Sequence, residues 1–441
     1  MTRMWGRLVA VVGVVGLVVA SAIATRSASV TERGGATPSA SVTDRAAVAP
    51  VFAPEQLYGG GKYWEPTVVS DPSSNYIYMA ATLLPGWHIT LRVSSDGGAS
   101  WGPVINPPCV CAWQADPVIA VSNTGTLYLL YMNRFRPGTS LMRSTNHGAT
   151  WTDPVVVENT LQAFNDKPWM VISPDGQDVY VTYNNSERCC SLIHQYVSVS
   201  HDGGKTFGVP IRTSGSITTA WYVWGGAMAP DGTVYFAESA SDELHGYRGS
   251  AYLVRSSDEG ATWTRTKMGT SLPPPNGSAH SAPDASVAVD SAGTVMFAYT
   301  SAATSGGSKA LLVRTSNDGV TWSAPSTVSA LGDAGYEVLA AGPAPGDFRL
   351  AWMDDRAGGS FPWNTWFVRT TDSGATWSAP VRLSDVGSGA AYKSSNGYLH
   401  PGGDYMGLAV TSSGANVAAW GESTKYAVSG YAGGVWYTKG G

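Results

Sequence analysis

Short apolar runs broken by Gly-containing turns recur from about residue 54 to the end of the chain, and no long stretch places apolar residues at helical spacing. Residues 117–122 are apolar; the turn Asn123-Thr124-Gly125 follows, then a second apolar run over 126–132, a third over 140–144, a polar turn, and a fourth over 154–157. This reads as four short antiparallel strands. Six such units end their third strand in one turn, SxDxGxTW in ideal form, over residues 94–101, 144–151, 200–207, 256–263, 315–322 and 370–377. The closing aromatics Trp101, Trp151, Phe207, Trp263, Trp322 and Trp377 are spaced by 50, 56, 56, 59 and 55 residues. Four strands at that period make a β-propeller blade.

The turn carries its own physics. Its third-position side chain (Asp96, Asn146, Asp202, Asp258, Asn317, Asp372) is suited to accept backbone N–H bonds across the turn, a Gly supplies the permissive backbone, and the Trp is placed to wedge between neighbouring sheets. A seventh unit lacks the turn: residues 405–411, the turn Ser412-Ser413-Gly414, residues 416–421 and residues 434–439 supply three strands. Residues 51–58 are predicted to add the fourth, so that the two ends of the chain close the ring and leave no open edge. The expected fold is all-β: a single seven-bladed propeller over 54–441, with six blades as the alternative.

The turn resembles the Asp box of sialidases and related glycan-processing propellers, a likeness that covers the chain after residue 54. It implies a propeller; sialidases themselves have six blades. It also implies a substrate-binding arginine cluster, an Asp acid/base and a Tyr nucleophile activated by Glu. The RIP motif that carries the first arginine is absent, and its strand reads Tyr63-Trp64-Glu65-Pro66-Thr67. Tyr222, Tyr336 and Tyr405 fall near the rim without matching the family nucleophile by motif.

Composition narrows the partners. Only 13% of residues are charged, the net charge is −5 and no basic stripe occurs, which argues against nucleic acid. The 17 Trp and 21 Tyr suit surfaces that stack on sugars. Residues 1–24 carry Arg3 and Arg7, an apolar run over 8–20 and small residues with cleavage sites after Ala22 or Ala24, as a secretory signal does. The run is shorter than the roughly 20 residues of a membrane span. Residues 25–53, rich in Ser, Ala, Thr and Pro, read as a disordered linker. A secreted monomer, not bound to membranes after cleavage, is expected. Cys109, Cys111, Cys189 and Cys190 then favour disulfides, of undetermined connectivity, over zinc.

In each unit the entrance to the first strand and the exit from the second share the face opposite the SxDxGxTW turns. Aligning the units places acids at six entrances: Glu65, Asp116, Asp166, Asp284, Glu337 and Asp404; the fourth unit has residues 221–226 there, aromatic and small. A carboxylate group around the axis is the consequence. Asp116, Asp166, Asp284, Glu337 and Asp404 are the catalytic candidates, because crowded like charges push pKa values apart and provide an acid and a base. Trp64, Glu65, Arg134, Lys167, Trp169, His280, Asp355, Arg356, His400 and Tyr405 are the substrate-binding candidates; His280 and His400 each precede an acid by four residues. The bland alternatives are loop caps and an axial calcium or magnesium ion held by oxygen ligands. No cofactor is required and no metal ligand set is assigned.

Three functions fit. The first is a secreted, sialidase-like glycoside hydrolase acting on an extracellular acidic glycan by carboxylate general acid/base chemistry. The second is a polysaccharide lyase on uronic-acid polymers, an activity of some similar seven-bladed propellers, with His280 or His400 as base, a Tyr as acid, and Arg or Lys167 neutralising the uronate. The third is a non-catalytic carbohydrate- or protein-binding propeller.

Overall fold

The repeating strand pattern folds into seven antiparallel sheets. The computed structural model describes residues 47–60, 63–84, 86–108, 113–134, 138–158, 164–186, 193–215, 219–242, 248–273, 283–359, 363–384, 405–422 and 434–441. The segment expected to be a signal, most of the expected linker, the four cysteines, His280, His400 and Asp404 lie outside them. Every regular element among the described residues is a β-strand. The second blade shows the plan: Gln114–Val121, Leu127–Asn133, Gly138–Ser144 and Val155–Val156 pair in sequence order. The first strands of successive blades touch one another in an unbroken cycle of seven, so they line the axis. The blade count is seven, not six.

Each hydrophobic cluster belongs to two neighbouring blades, which follows from the period-2 alternation of strands sandwiched between sheets. In the first blade Ile77, Met79 and Ala81 pack towards the seventh, while Tyr78 and Ala80 pack towards the second. Both faces being buried, the second strands are apolar almost throughout; each large side chain removed from water contributes about 1.5–3 kcal/mol.

Ring closure occurs as the sequence predicts. Gln56–Leu57 pairs with the final strand, Gly434–Gly440, to complete the seventh sheet, and Phe52 bridges to Gly440. Tyr437 donates to Gln56 Oε1 at 2.7 Å, and Tyr58, fully buried, donates its backbone N–H to Val435 O at 2.9 Å. The first blade has three strands, its fourth reduced to a bridge between Leu91 and Ile105.

The turns are staples. The Ser94 hydroxyl donates to Asp96 Oδ1 at 2.8 Å and accepts the Gly98 N–H at 2.8 Å; Asp96 accepts the Ser100 N–H at 2.9 Å and its hydroxyl at 2.6 Å. Equivalent bonds recur at Ser144/Asn146, Ser200/Asp202, Ser256/Asp258 and Thr370/Asp372. The fifth turn corrects the sequence register: it begins at Ser316, not Thr315, and Asp318, not Asn317, accepts the Val320 and Thr321 N–H groups at 2.8 and 2.6 Å. One residue is missing between the acid and the Gly of that turn, so counting a full motif back from Trp322 displaced its first three positions by one and left Gly319, Thr321 and Trp322 in place. The bonds from the Thr321 and Val320 backbones hold the Asp318 carboxyl below the ordinary carboxylate range. The closing Trp side chains reach back across the blade boundary: Trp101 meets Tyr437 edge-on with centroids 5.4 Å apart, and Trp263 meets Tyr180 at 6.4 Å. The indole N–H of Trp151 and of Trp263 donates to the turn Gly carbonyl at 3.0 Å, whereas those of Trp322 and Trp377 are buried with no hydrogen-bond partner among the described residues.

Candidate active site

Strand register separates the two faces of the propeller. In the second blade Val121 pairs with Leu127, which pairs with Ser144, at the stapled end; Gln114 pairs with Asn133, which pairs with Gly138, at the other. Asp116 is therefore near the unstapled face. The arginines that precede the turns serve the stapled face, as Arg143 does by donating to Gly203 O at 2.8 Å.

Four first strands carry the same irregularity near their entrances. Residues 65–66 lie opposite Ala81 alone, 116–117 opposite Tyr131, 167–168 opposite Tyr183, and 336–337 opposite Trp352. These are β-bulges, which bend a strand and re-aim its side chains. The first residue of each pair is left-handed: Glu65 (φ 55°), Asp116 (φ 51°), Lys167 (φ 46°) and Tyr336 (φ 58°). Glycine is the residue suited to that position, and three of these four also precede a proline, which restricts them further. The strain is of order 1–3 kcal/mol per residue and is concentrated where functional sites store it. In the fourth blade the register shift falls at Trp224.

The bulges revise the entrance alignment. Lys167, not Asp166, is equivalent to Glu65 and Asp116, and Tyr336, not Glu337, holds the corresponding place in the sixth blade. A charged residue followed by Pro at three successive entrances was the available signal; aligning acids alone shifted two units by one residue.

Tyr405, just ahead of the first strand of the seventh blade, is where these elements meet. Its hydroxyl donates to Asp116 Oδ2 at 3.3 Å. Lys167 Nζ stands 4.9 Å from the Tyr405 ring centroid and 5.7 Å from that of Trp224, within cation–π range. Trp169 and Trp224 flank the ring, each with its centroid 6.4 Å away, and Trp224 is pinned by its indole N–H donating to Ser239 at 2.7 Å. Desolvation drives the Tyr405 phenol well above its usual range; the Lys167 charge opposes that, while Asp116, Glu65 and Asp166 reinforce it. Tyr405 is thus held as a protonated phenol. Glu65, Asp116 and Lys167 are buried.

Other predicted residues are placed elsewhere or otherwise engaged. Asp284 Oδ2 accepts the Tyr336 N–H at 2.7 Å, clipping the fifth blade to the bulge of the sixth, and Glu337 is buried within that bulge. Asp355 accepts the Asp333 N–H at 2.7 Å. Arg356 pairs with Asp354 at 2.5 Å and lies 4.4 Å from the Trp366 centroid. Arg134 stands exposed after its strand, in a left-handed conformation. Trp64 begins an aromatic line through Trp87 to Trp113, with successive centroids 5.7 and 5.9 Å apart. Among the described residues no group of three or more His, Cys, Asp or Glu side chains is arranged to hold a metal ion.

No family model and no curated protein matches the chain. Its fold is similar to that of an ulvan lyase reported as a new family of polysaccharide lyase, at 11% identity and a TM-score of 0.54 over 87% of this chain and 95% of that one. A Hadza microbial sialidase (15% identity, TM-score 0.47, covering 82% and 73%) and the α-L-arabinanase of Penicillium chrysogenum (14%, 0.47, 69% and 94%) are also similar. At these identities the likeness is one of fold alone.

Proposed function

We propose that the well around Tyr405 is the active site of a secreted glycoside hydrolase that uses carboxylate general acid/base chemistry. The supporting observation is the set of bulges that turns Glu65, Asp116 and Lys167 into left-handed conformations at equivalent points of three successive blades. Strand pairing alone gives no reason for such residues there. Glu65, Asp116 and Asp166 act on one phenol, so like charges crowd one cleft; the pair that reacts divides into a protonated donor to the glycosidic oxygen and an ionised partner. Tyr405 donates to Asp116 and so fixes the direction in which that carboxyl group points. Trp169 and Trp224 provide faces for sugar stacking.

Charge balance selects the substrate. Among the described residues two carboxylates still face the single charge of Lys167 when one carboxyl carries the proton to be donated, so the well favours the positive charge of an oxocarbenium-like transition state over an added substrate carboxylate. This replaces the acidic glycan expected from sequence with a neutral one. One observation favours a second reading, β-elimination from a uronate polymer: the Lys167 ammonium lies beside the Tyr405 phenol, a neutraliser next to a proton donor.

Incubation of the purified protein with neutral polysaccharides (arabinan, galactan, xylan) and with uronate polymers separates these readings. New reducing ends without ultraviolet absorbance mark hydrolysis; absorbance from unsaturated ends marks elimination. Turnover that Asp116→Asn and Tyr405→Phe leave intact, or no turnover on any polymer, overturns the catalytic assignment.

A further inference from the structure

The stapled face carries a groove that the chemistry above does not use. It lies between the second and third blades and encloses about 470 Å³. The second blade contributes Tyr128, Arg143, Thr150 and Trp151 to its lining, and the third contributes Gln177 and Lys205. Tyr128 is buried, Arg143 and Trp151 are half-buried and the others are exposed, so a polar rim surrounds a deeper aromatic part. The two walls are tied together: the Tyr128 hydroxyl donates to Gly176 O at 2.9 Å, the Arg143 guanidinium to Gly203 O at 2.8 Å, and the Asn123 N–H to Pro174 O at 2.7 Å. The groove is therefore preformed, and a ligand entering it does not have to order its walls.

The staple beside this groove is wired differently from the others. In the first, third, fourth and sixth staples the hydroxyl two residues after the Gly (Ser100, Thr206, Thr262, Thr376) donates to the acid at 2.5 to 2.7 Å. The second staple has Asn146 in place of the acid. Its Oδ1 accepts the Ser144 hydroxyl and the Thr150 N–H, both at 2.9 Å, which fixes the amide with its Nδ2 towards Thr150. That Nδ2 donates to Thr150 Oγ1 at 2.8 Å, so the bond is reversed and the Thr150 O–H is released to donate into the groove it lines. A staple does not need this reversal, since an acid serves in every other one. Trp151 and Arg143 differ from their counterparts too. Trp101, Trp263 and Trp322 each meet another aromatic ring, whereas among the described residues Trp151 meets none: it packs on the apolar cluster between the first two blades and lines the groove with what that cluster leaves uncovered. Arg92 gives its guanidinium to the carbonyls of Tyr58, Trp101 and Gly102 and lies over the Trp101 ring at 5.9 Å; Arg143 makes one such bond among the described residues, to Gly203.

We infer that this groove is a second, non-catalytic glycan-binding site, on the face opposite the Tyr405 well, and that it takes a segment of neutral polysaccharide. A sugar offers hydroxyls that both donate and accept, together with C–H faces that stack on indole, and the groove sets hydroxyl, amide and guanidinium groups around Trp151. An anion is a poorer match, because Asp175 and Asp202 line the groove along with Arg143 and Lys205. A strand held here keeps the protein on its polymer while the well on the other face acts on a neighbouring chain. The site stands on its own observations and does not need the well to be catalytic.

The test is affinity electrophoresis of the Asp116→Asn protein, which is not expected to degrade the gel, with arabinan, galactan or xylan as the embedded polymer. At least one polymer should retard it. Adding Trp151→Ala should weaken that retardation about tenfold, the loss of one aromatic stacking contact. Adding Asn146→Asp restores the ordinary staple and turns the Thr150 hydroxyl inward; it should weaken retardation about three- to tenfold with the melting midpoint unchanged or raised. A residue that only staples its turn predicts no loss of binding from that change. Asn146→Asp keeps the Trp wedge, and it alone decides if Trp151→Ala lowers the melting midpoint. Retardation that both variants leave intact, or no retardation by any polymer, overturns the site. If both variants lose retardation while the unaltered protein cleaves nothing, the groove stands and the catalytic reading of the well falls.

Discussion

Replacing Glu238 by Gln should change how stability depends on pH. Glu238 sits in the second strand of the fourth blade, Val234–Asp242, paired with Val223 and Tyr252, and is fully buried. Thr213 donates to its Oε1 at 3.1 Å, and its Oε2 has no hydrogen-bond partner. Arg265, held between Trp221 and Tyr252 with centroids 4.9 and 5.5 Å away, is the cation that acts on it. Burial wins over both the Thr213 bond and the Arg265 charge, and the carboxyl is pushed from 4.5 up to about 8. The folded protein therefore keeps a proton that the unfolded chain has released. The stabilisation is complete below pH 4.5 and is lost as pH rises towards 8, at about 1.4 kcal/mol per unit. By neutral pH this one group has cost about 3 kcal/mol, and near pH 8 about 5, as upper figures. Gln keeps the shape, accepts from Thr213 and cannot ionise. Urea unfolding of parent and Glu238→Gln from about pH 4 to about pH 9 should give a stability difference near zero or slightly unfavourable in acid that turns progressively in favour of Gln. Two parallel curves across that range would refute the buried, protonated carboxyl.

Three other outcomes are expected. Asp116→Asn and Tyr405→Phe should lower turnover of the polysaccharide substrate by about a hundredfold or more with unchanged far-ultraviolet circular dichroism, as for loss of a group that acts in proton transfer; a change confined to KM would point to binding alone. Asp318→Ala should lower the melting midpoint by about 2–4 °C, whereas Asn317→Ala should leave it unchanged, since Asp318 makes the bonds of the fifth turn; the opposite ranking would restore the sequence register. Removing residues 1–58 deletes the closing strand and buried Tyr58, and should abolish cooperative melting; a transition within a few degrees of the parent would show that the ring does not need this closure.

Much of the fold was written in local features. Strand alternation, Gly turns and a repeated hydroxyl–carboxylate staple act within a few residues of themselves, so their spacing specified blades, blade number and the need for residues 51–58 to close the seventh. Where the sequence misled, one missing residue was enough: in the fifth turn it moved the staple from Asn317 to Asp318. The site was legible only in outline. Residue type placed Asp116, Lys167, Trp169 and Tyr405 on one face, but whether they meet depends on the axial convergence of three blades, a contact made between residues up to 289 positions apart. Tertiary structure also decided that Lys167 shares the position of Glu65 and Asp116, because a bulge adds one residue and changes which side chain is aimed at the axis. It also engaged Asp284 with the Tyr336 backbone and Arg356 with Asp354, since a charged side chain takes whichever partner folding brings within reach.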